Sequence, residues 1–313
     1  MTQLVLTGPG VGPMTAEVTI DLAAGCRLAR VRLIATDVPA AGDGVDLLAV
    51  ADDRDPTSIE WGCYPMAPWA GRLRHGRFEH DGRQVELARN HRDGGRSGGG
   101  PIRPPMPPAT EAVPDASAHA IHGIVFGRPW TLEAHTKRSL TASCSLTDDD
   151  PMALGWPFAG TARQTIEVGD DHLRSELSVE ANPGSSFPAV IGWHPWFAKP
   201  ARLEFEPSAM LERDDHGLPT GRLVDVPPPP WDDCFRARGP IRMHHDRTLA
   251  PVVTIDADCD HWVVFDAPPH ATCVEPQSGP PDAPNITARV GSEAAVEVVS
   301  AGRPLRRTMT IAW

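Results

Sequence analysis

The stretch Leu173-Arg174-Ser175-Glu176-Leu177-Ser178-Val179 decides the fold. In an extended chain Leu173, Leu177 and Val179 fall on one face, with Arg174, Glu176 and Ser178 on the other. That period of two is what a half-buried antiparallel strand requires. The same alternation recurs along the chain. Val18, Ile20 and Leu22 oppose Thr19 and Asp21, and Ala29, Val31 and Leu33 oppose Arg30 and Arg32. Ile166 and Val168 oppose Thr165 and Glu167, and Met309, Ile311 and Trp313 oppose Thr308 and Thr310. Between Phe78 and Leu87, Asp81-Gly82 supplies the turn of a tight hairpin, because glycine tolerates positive φ. No apolar pattern holds a 3.6-residue period over a helical length. The expectation is an all-β chain folded as a large antiparallel β-sandwich.

The composition agrees. Of 313 residues, 28 are glycine and 34 proline, so turns should be many and long helices few. With 41% hydrophobic and 22% charged residues the chain can build a substantial core. No apolar run reaches the ~18–20 residues a bilayer span needs, so no membrane partner is expected. The net charge of −12 argues against nucleic acid, whose phosphates must be met by positive charge. Glu17 and Asp21, with no early basic cluster, do not read as a secretory signal. The six cysteines show no paired spacing and read as reduced core thiols, so a cytoplasmic location is expected. Asn285-Ile286-Thr287 is then a chance sequon.

Residues 1–313 are expected to form one domain. Two stretches break the alternation. Arg92 to Ser117, rich in Gly, Pro and Arg, reads as a mobile surface loop, and Pro227 to Pro230 as a stiff connector. Gly95-Arg96-Ser97-Gly98-Gly99 has the letters of a hydrolase nucleophile elbow. It lies inside that loop, without the strand and helix the elbow needs. His119-x-x-His122 and His244-His245 lack a third ligand at a telling spacing, so no metal site is expected.

Four islands of polar residues among aromatics and turn formers carry more information. They are Pro65 to Phe78, then Ala120 to Gly123 with Pro129-Trp130, then Gly192 to Phe197, and last Cys273 to Gln277 running on to Asn285. Singly, each has a plain structural reading: a lone strand histidine is usually a hydrogen-bonded structural residue, Glu275 before proline a turn residue, Arg72 a surface charge. Together, and in this order, they resemble the aldose 1-epimerase (galactose mutarotase) family from about residue 18 to the C-terminus. Gly71-Arg72, Gly76-Arg77-Phe78 and Asp81-Gly82 match its first block, with Gly71 where many members have Asn. Ile121-His122-Gly123 with Trp130, and His194 to Phe197, match the next two. Asp232 before Phe235, and Cys273-Val274-Glu275-Pro276-Gln277 with Pro281-Asp282 and Asn285, complete the set.

The resemblance implies the galactose mutarotase-like supersandwich and exchange of sugar anomers. That reaction breaks and re-forms the ring C1–O5 bond, so one group must take the C1 hydroxyl proton while another protonates the ring oxygen. A carboxylate and an imidazole suit the task. By resemblance Glu275 is the base and His194 the acid, while His122, Arg72, Asp232 and Gln277 hold the sugar. Asp233 is the alternative to Asp232. Pro195 and Pro276 bias the residues before them toward extended backbone, which suits presentation from strand ends. Trp69, Trp193 and Trp196 offer flat faces to a sugar or pack in the core. No metal or organic cofactor is required. The expected partner is a free hexose substrate such as glucose or galactose, and the protein is expected to be a monomer or homodimer. A hexose 6-phosphate is the alternative that Arg72, Arg74 and Arg77 leave open, and a non-catalytic carbohydrate-binding homologue is another.

Overall fold

A computed structural model describes residues 3–10, 13–36, 44–50, 59–92, 118–147, 150–247, 249–290 and 296–313. Two large sheets dominate it, and every strand pair is antiparallel. The first runs in the order Gln3–Thr7, Met14–Asp21, Arg27–Ala35, Cys63–Met66, Gly192–Ala198, Ala271–Gln277, His261–Phe265, Asp232–Arg236, Ala209–Arg213, Pro219–Val224, with Val45–Asp46 beside the third strand. The second runs Thr131–His135, Ser139–Ser145, Gly160–Val168, His172–Ala181, Leu305–Ala312, Val252–Ala257, Ile241–His244, Arg202–Glu204.

The alternating residues explain why the sheets stack. Val18, Val31, Phe197 and Trp262 of the first sheet and Ile166, Leu177, Met309 and Ile311 of the second share one buried cluster. One polar bridge crosses it. Gln164, from the second sheet, accepts from the Trp193 indole at 3.0 Å and donates to the Cys26 carbonyl at 2.9 Å. The bridge satisfies two groups that would be costly to bury unpaired. The all-β sandwich is thus observed, and all six cysteines are free and buried.

Three local outcomes depart from the pattern. Thr19 pairs with Arg30 but Ile20 pairs with Leu28, so Ala29 is the extra residue of a β-bulge and is only half-buried. Ala283–Val290 forms an α-helix, the only one among the described residues, and too short to give a sustained period. Arg92 itself ends a short strand paired with Ala118, and the rest of the loop expected at 92–117 lies outside the described residues. At the Asp81-Gly82 turn both residues have positive φ, 49° and 69°, as a two-residue hairpin requires. No helix among the described residues is long and apolar enough to cross a membrane.

Candidate active site

The site is set by strand register. Gly192 pairs with Gln277 and Trp196 with Cys273, so the shared register puts His194 opposite Glu275 where the ladder is interrupted by Pro195 and Pro276. On the other side His194 pairs with Tyr64, and Glu275 pairs with Val263. Successive residues face opposite ways. Trp193 and Phe197 therefore enter the main core, while His194 and Trp196 point to the sheet's other face with Tyr64, Cys273, Glu275 and Phe265. Loops close over that face and leave a cleft at whose floor the imidazole and carboxyl meet.

Glu275 Oε1 lies 3.1 Å from His194 Nε2, with both side chains almost wholly buried. The second carboxyl oxygen accepts a hydrogen bond from Gln277 Nε2 at 3.1 Å. The imidazole is stacked on two rings, Tyr64 at 4.8 Å and Trp196 at 5.1 Å between centroids, which fixes its plane. His122 meets it edge-on at 4.9 Å.

Burial dominates the electrostatics. It pushes the Glu275 carboxyl well above the usual carboxylate range, the nearby Asp232 carboxylate adds to this, and Gln277 and Arg72 pull the other way. Burial lowers His194 to about 3, helped by the buried Arg27 guanidinium, which sits 4.8 Å over the Tyr64 ring. His122 is pushed well below its usual value by burial and by His194, His91 and Arg72. Burial thus opposes the charged form of all three groups.

Backbone geometry explains the glycine-rich blocks. His122 and Gly123 have positive φ (59° and 76°), and the His122 N–H donates to the Gly71 carbonyl at 2.9 Å. A Cβ on Gly123 would lie 2.0 Å from the Ala67 carbonyl oxygen, so only glycine lets the His122 segment dock there. Gly71 has φ of 67°, a conformation that glycine and asparagine tolerate best. The buried Asp282 is a clamp. It accepts from the Arg74 N–H at 2.9 Å and donates its own N–H to the Arg72 carbonyl at 2.9 Å. Asn285 ties on through Asp282 and the Arg77 carbonyl. The Pro281-Asp282 block therefore fastens the Arg72 segment over the end of the Glu275 strand.

Arg72, His122, His194, Asp232 and Glu275 all line the cleft, and Asp233 does too. Asp232 is on the same face of its strand as Cys234 and lies 3.3 Å from Arg213 Nη1, while Asp233 lies 2.9 Å from Arg213 Nε. Gln277 is not at the cleft wall: it is fully buried and touches Glu275 instead. Of the three tryptophans only Trp196 lines the cleft. Trp193 is in the core, and Trp69 packs there against Trp156 at 5.7 Å. Sequence reasoning missed Tyr64, Arg213, His91 and Arg27. Tyr64 adjoins the first polar island and is the chain's one tyrosine, a signal that was available; Arg213 lies in no island. His91 and His122 line the cleft, and each buries an Nδ1 with no hydrogen-bond partner among the described residues.

Among the described residues, His194, Cys273 and Glu275 place one ligand atom each within 4.8 Å of one another and form the group able to hold a metal. Burial and Glu275 push the Cys273 thiol well up.

An antiparallel sandwich thus carries a buried carboxyl–imidazole pair under a cleft lined by aromatic, cationic and acidic groups, an arrangement chemically able to exchange protons with a small polar ligand. The sequence model of the family Aldose 1-epimerase matches residues 36–282, and the chain belongs to that family. Its fold is that of solved relatives. It is similar to a galactose mutarotase-like protein from Clostridium acetobutylicum (TM-score 0.72, 14% identity, 95% of this chain and 94% of that one). It is similar also to the GalM/aldose epimerase homologue from C. elegans (TM-score 0.70, 16%, 99% and 98%). A third is galactose 1-epimerase from Lactobacillus acidophilus NCFM (TM-score 0.64, 14%, 99% and 93%).

Proposed function

We propose that this chain is an isomerase that interconverts the α and β anomers of a free hexose of the glucose or galactose type. The observation that carries the reading is the Glu275–His194 contact of 3.1 Å at the floor of the cleft. Glu275 takes the C1 hydroxyl proton. As the C1–O5 bond breaks, its electron pair goes to O5, which takes a proton from His194 Nε2. The product is an open-chain aldehyde with a hydroxyl at C5. Rotation about C1–C2 turns the other carbonyl face toward O5. On closure His194 takes the C5 hydroxyl proton and Glu275 returns its proton to the carbonyl oxygen, giving the other anomer.

Arg72, His122 and Asp232 are the groups to orient the hydroxyls, and Gln277 acts as a positioning residue by fixing the Glu275 carboxyl. Of the three arginines that left a phosphorylated substrate open, two are engaged elsewhere. Arg74 pairs with Asp214 at 2.5 Å and Asp282 at 3.4 Å, and Arg77 with Glu86 at 2.8 Å. That favours an uncharged sugar. The test is polarimetry on fresh α-glucose and α-galactose, each against its spontaneous rate. Acceleration of neither sugar refutes the reading.

A further inference from the structure

The cleft does not end at the sugar-sized space over Glu275. Beyond Asp232 and Arg213 it opens into a groove of about 800 Å³, against about 80 Å³ for the inner cleft. Arg72, Arg213, Gly217, Asp232, Asp233 and Phe265 belong to both walls, so the two spaces are one continuous trough. Strand order gives its direction. Glu275 stands on Ala271–Gln277, and the strand with Asp232 is two places along the sheet. The hairpin strands Ala209–Arg213 and Pro219–Val224 are the third and fourth places. At a strand spacing of about 4.8 Å, the trough runs roughly 14–19 Å sideways from the reacting pair. A single pyranose cannot fill it.

The lining indicates the occupant. On one side the half-buried Trp231 stands in the groove wall, held by its indole N–H donating to the Pro227 carbonyl at 2.8 Å and by edge contacts to Phe205 and Phe235. On the other side Met210 and Val224 form an apolar rim. Between them the carboxylates of Glu212, Asp214, Asp215, Asp232 and Asp233 outnumber the guanidiniums of Arg72 and Arg213. Arg213 is held by Asp232 and Asp233, Asp214 by Arg74, and Glu212 by Arg222 at 2.6 Å. Ionised carboxylates only accept hydrogen bonds. Such a wall suits a ligand rich in hydroxyl donors and without negative charge, and an aromatic face suits its C–H surface.

We infer that the groove is a second saccharide subsite, so that the preferred substrate is the reducing end of a neutral oligosaccharide rather than a lone hexose. The inference rests on the epimerase reading for the chemistry at the inner cleft, but the subsite itself is a binding property. The reducing sugar lies over Glu275 and His194 and the next unit lies between Trp231 and the 209–224 hairpin.

The test separates the two. Binding is measured by titration calorimetry for glucose against maltose and isomaltose, for galactose against galactobiose, and for glucose 6-phosphate. Turnover of the same sugars is followed by polarimetry. At least one disaccharide should bind about tenfold more tightly than its own reducing-end monosaccharide, ~1.4 kcal/mol. Trp231→Ala should erase that excess while leaving monosaccharide binding unchanged. Val224→Trp, which fills the groove from a strand at the sheet edge and spares the Trp231 packing, should do the same with an unchanged melting temperature. Disaccharides that bind no better than their monosaccharides overturn the subsite, as does tighter binding of glucose 6-phosphate than of glucose. If no sugar turns over above its spontaneous rate, the epimerase reading fails. The calorimetric excess then still decides the subsite.

Discussion

Glu275→Gln is the sharpest test of the proton-transfer pair. The amide keeps the shape of the carboxyl, can donate to His194 Nε2 across the 3.1 Å contact, and can still accept from Gln277. What is lost is the ability to hold and return a proton. A positioned general acid or base is worth about 10²–10⁴ in rate, so kcat should fall by that factor, with KM little changed. Stability should not fall. The wild-type carboxyl is buried and its ionisation is opposed by desolvation, whereas the amide is neutral at every pH. His194→Asn should cost a similar factor. The double variant should cost far less than the product of the two, because neither group works without the other. The assay is polarimetric decay of a fresh anomer with the spontaneous rate subtracted, beside a thermal melt of each variant. A Glu275→Gln protein that melts normally and turns over near the parental rate refutes the assignment, and Asp232 and Asp233 become the carboxylates to change.

Acid should unfold this chain early. His91 is lowered to about 4, His119 and His194 to about 3, and His122 well below its usual value, burial being the first cause in each. Unfolded, these imidazoles take up protons near pH 6.5 that the folded chain refuses. The share of stability that these imidazoles contribute is therefore full above pH 6.5 and falls toward pH 4 by about 1.4 kcal/mol per pH unit for each, outweighing the opposite effect of the single raised Glu275 carboxyl, and a melting temperature equal at pH 7.5 and pH 5 would contradict this. Gln277→Leu removes a donor that holds the Glu275 proton affinity down, so the alkaline limb of kcat/KM should move to higher pH and kcat should drop about tenfold; a loss of activity with an unmoved pH profile would make Gln277 merely structural. Activity should survive exhaustive chelation; loss on chelation with recovery on adding zinc would make His194, Cys273 and Glu275 a metal site.

Much of the architecture is legible because alternation is a local signal. Leu173, Leu177 and Val179 declare a buried face whatever strand they pair with, and each is buried. The bulge at Ala29 is not legible, since it is a property of two strands and only the slip between Thr19–Arg30 and Ile20–Leu28 reveals it. The site is a mixed case. Parity within Gly192–Ala198 already groups His194 with Trp196 and Trp193 with Phe197. The sequence does not decide which group faces the core, because each face of that strand carries a tryptophan and both are buried. Register is the larger gap. That His194 stands opposite Glu275 rests on pairing between segments some eighty residues apart. Tyr64 joins them through a third segment earlier still. Asp232 and Asp233 are inseparable in sequence because they are adjacent and a slip of one residue exchanges them; in the structure both line the cleft and share Arg213.

On the proposed reading, the buried pair would let one site run the reaction in both directions. In water a glutamate and a histidine would settle as carboxylate and imidazolium, since the ordinary proton affinity of histidine exceeds that of glutamate by about two pH units. In the proposed mechanism that ionic state is the one that opens the ring, and left alone it would dominate. Burial acts against it from both sides, raising Glu275 and lowering His194, toward the neutral pair that closes the ring. The surrounding charges then trim the balance. Asp232 favours the protonated Glu275, while Arg72 and Gln277 favour its ionised form, and Arg27 disfavours the imidazolium. The two states differ only in the position of one proton across 3.1 Å. A sugar bound as proposed would tip them back, because its C1 hydroxyl would donate to the carboxylate and its ring oxygen accept from the imidazolium, solvating the ionic state that burial disfavours. The ring stacks of Tyr64 and Trp196 keep the imidazole from following its proton, so the proton moves while the framework stays still.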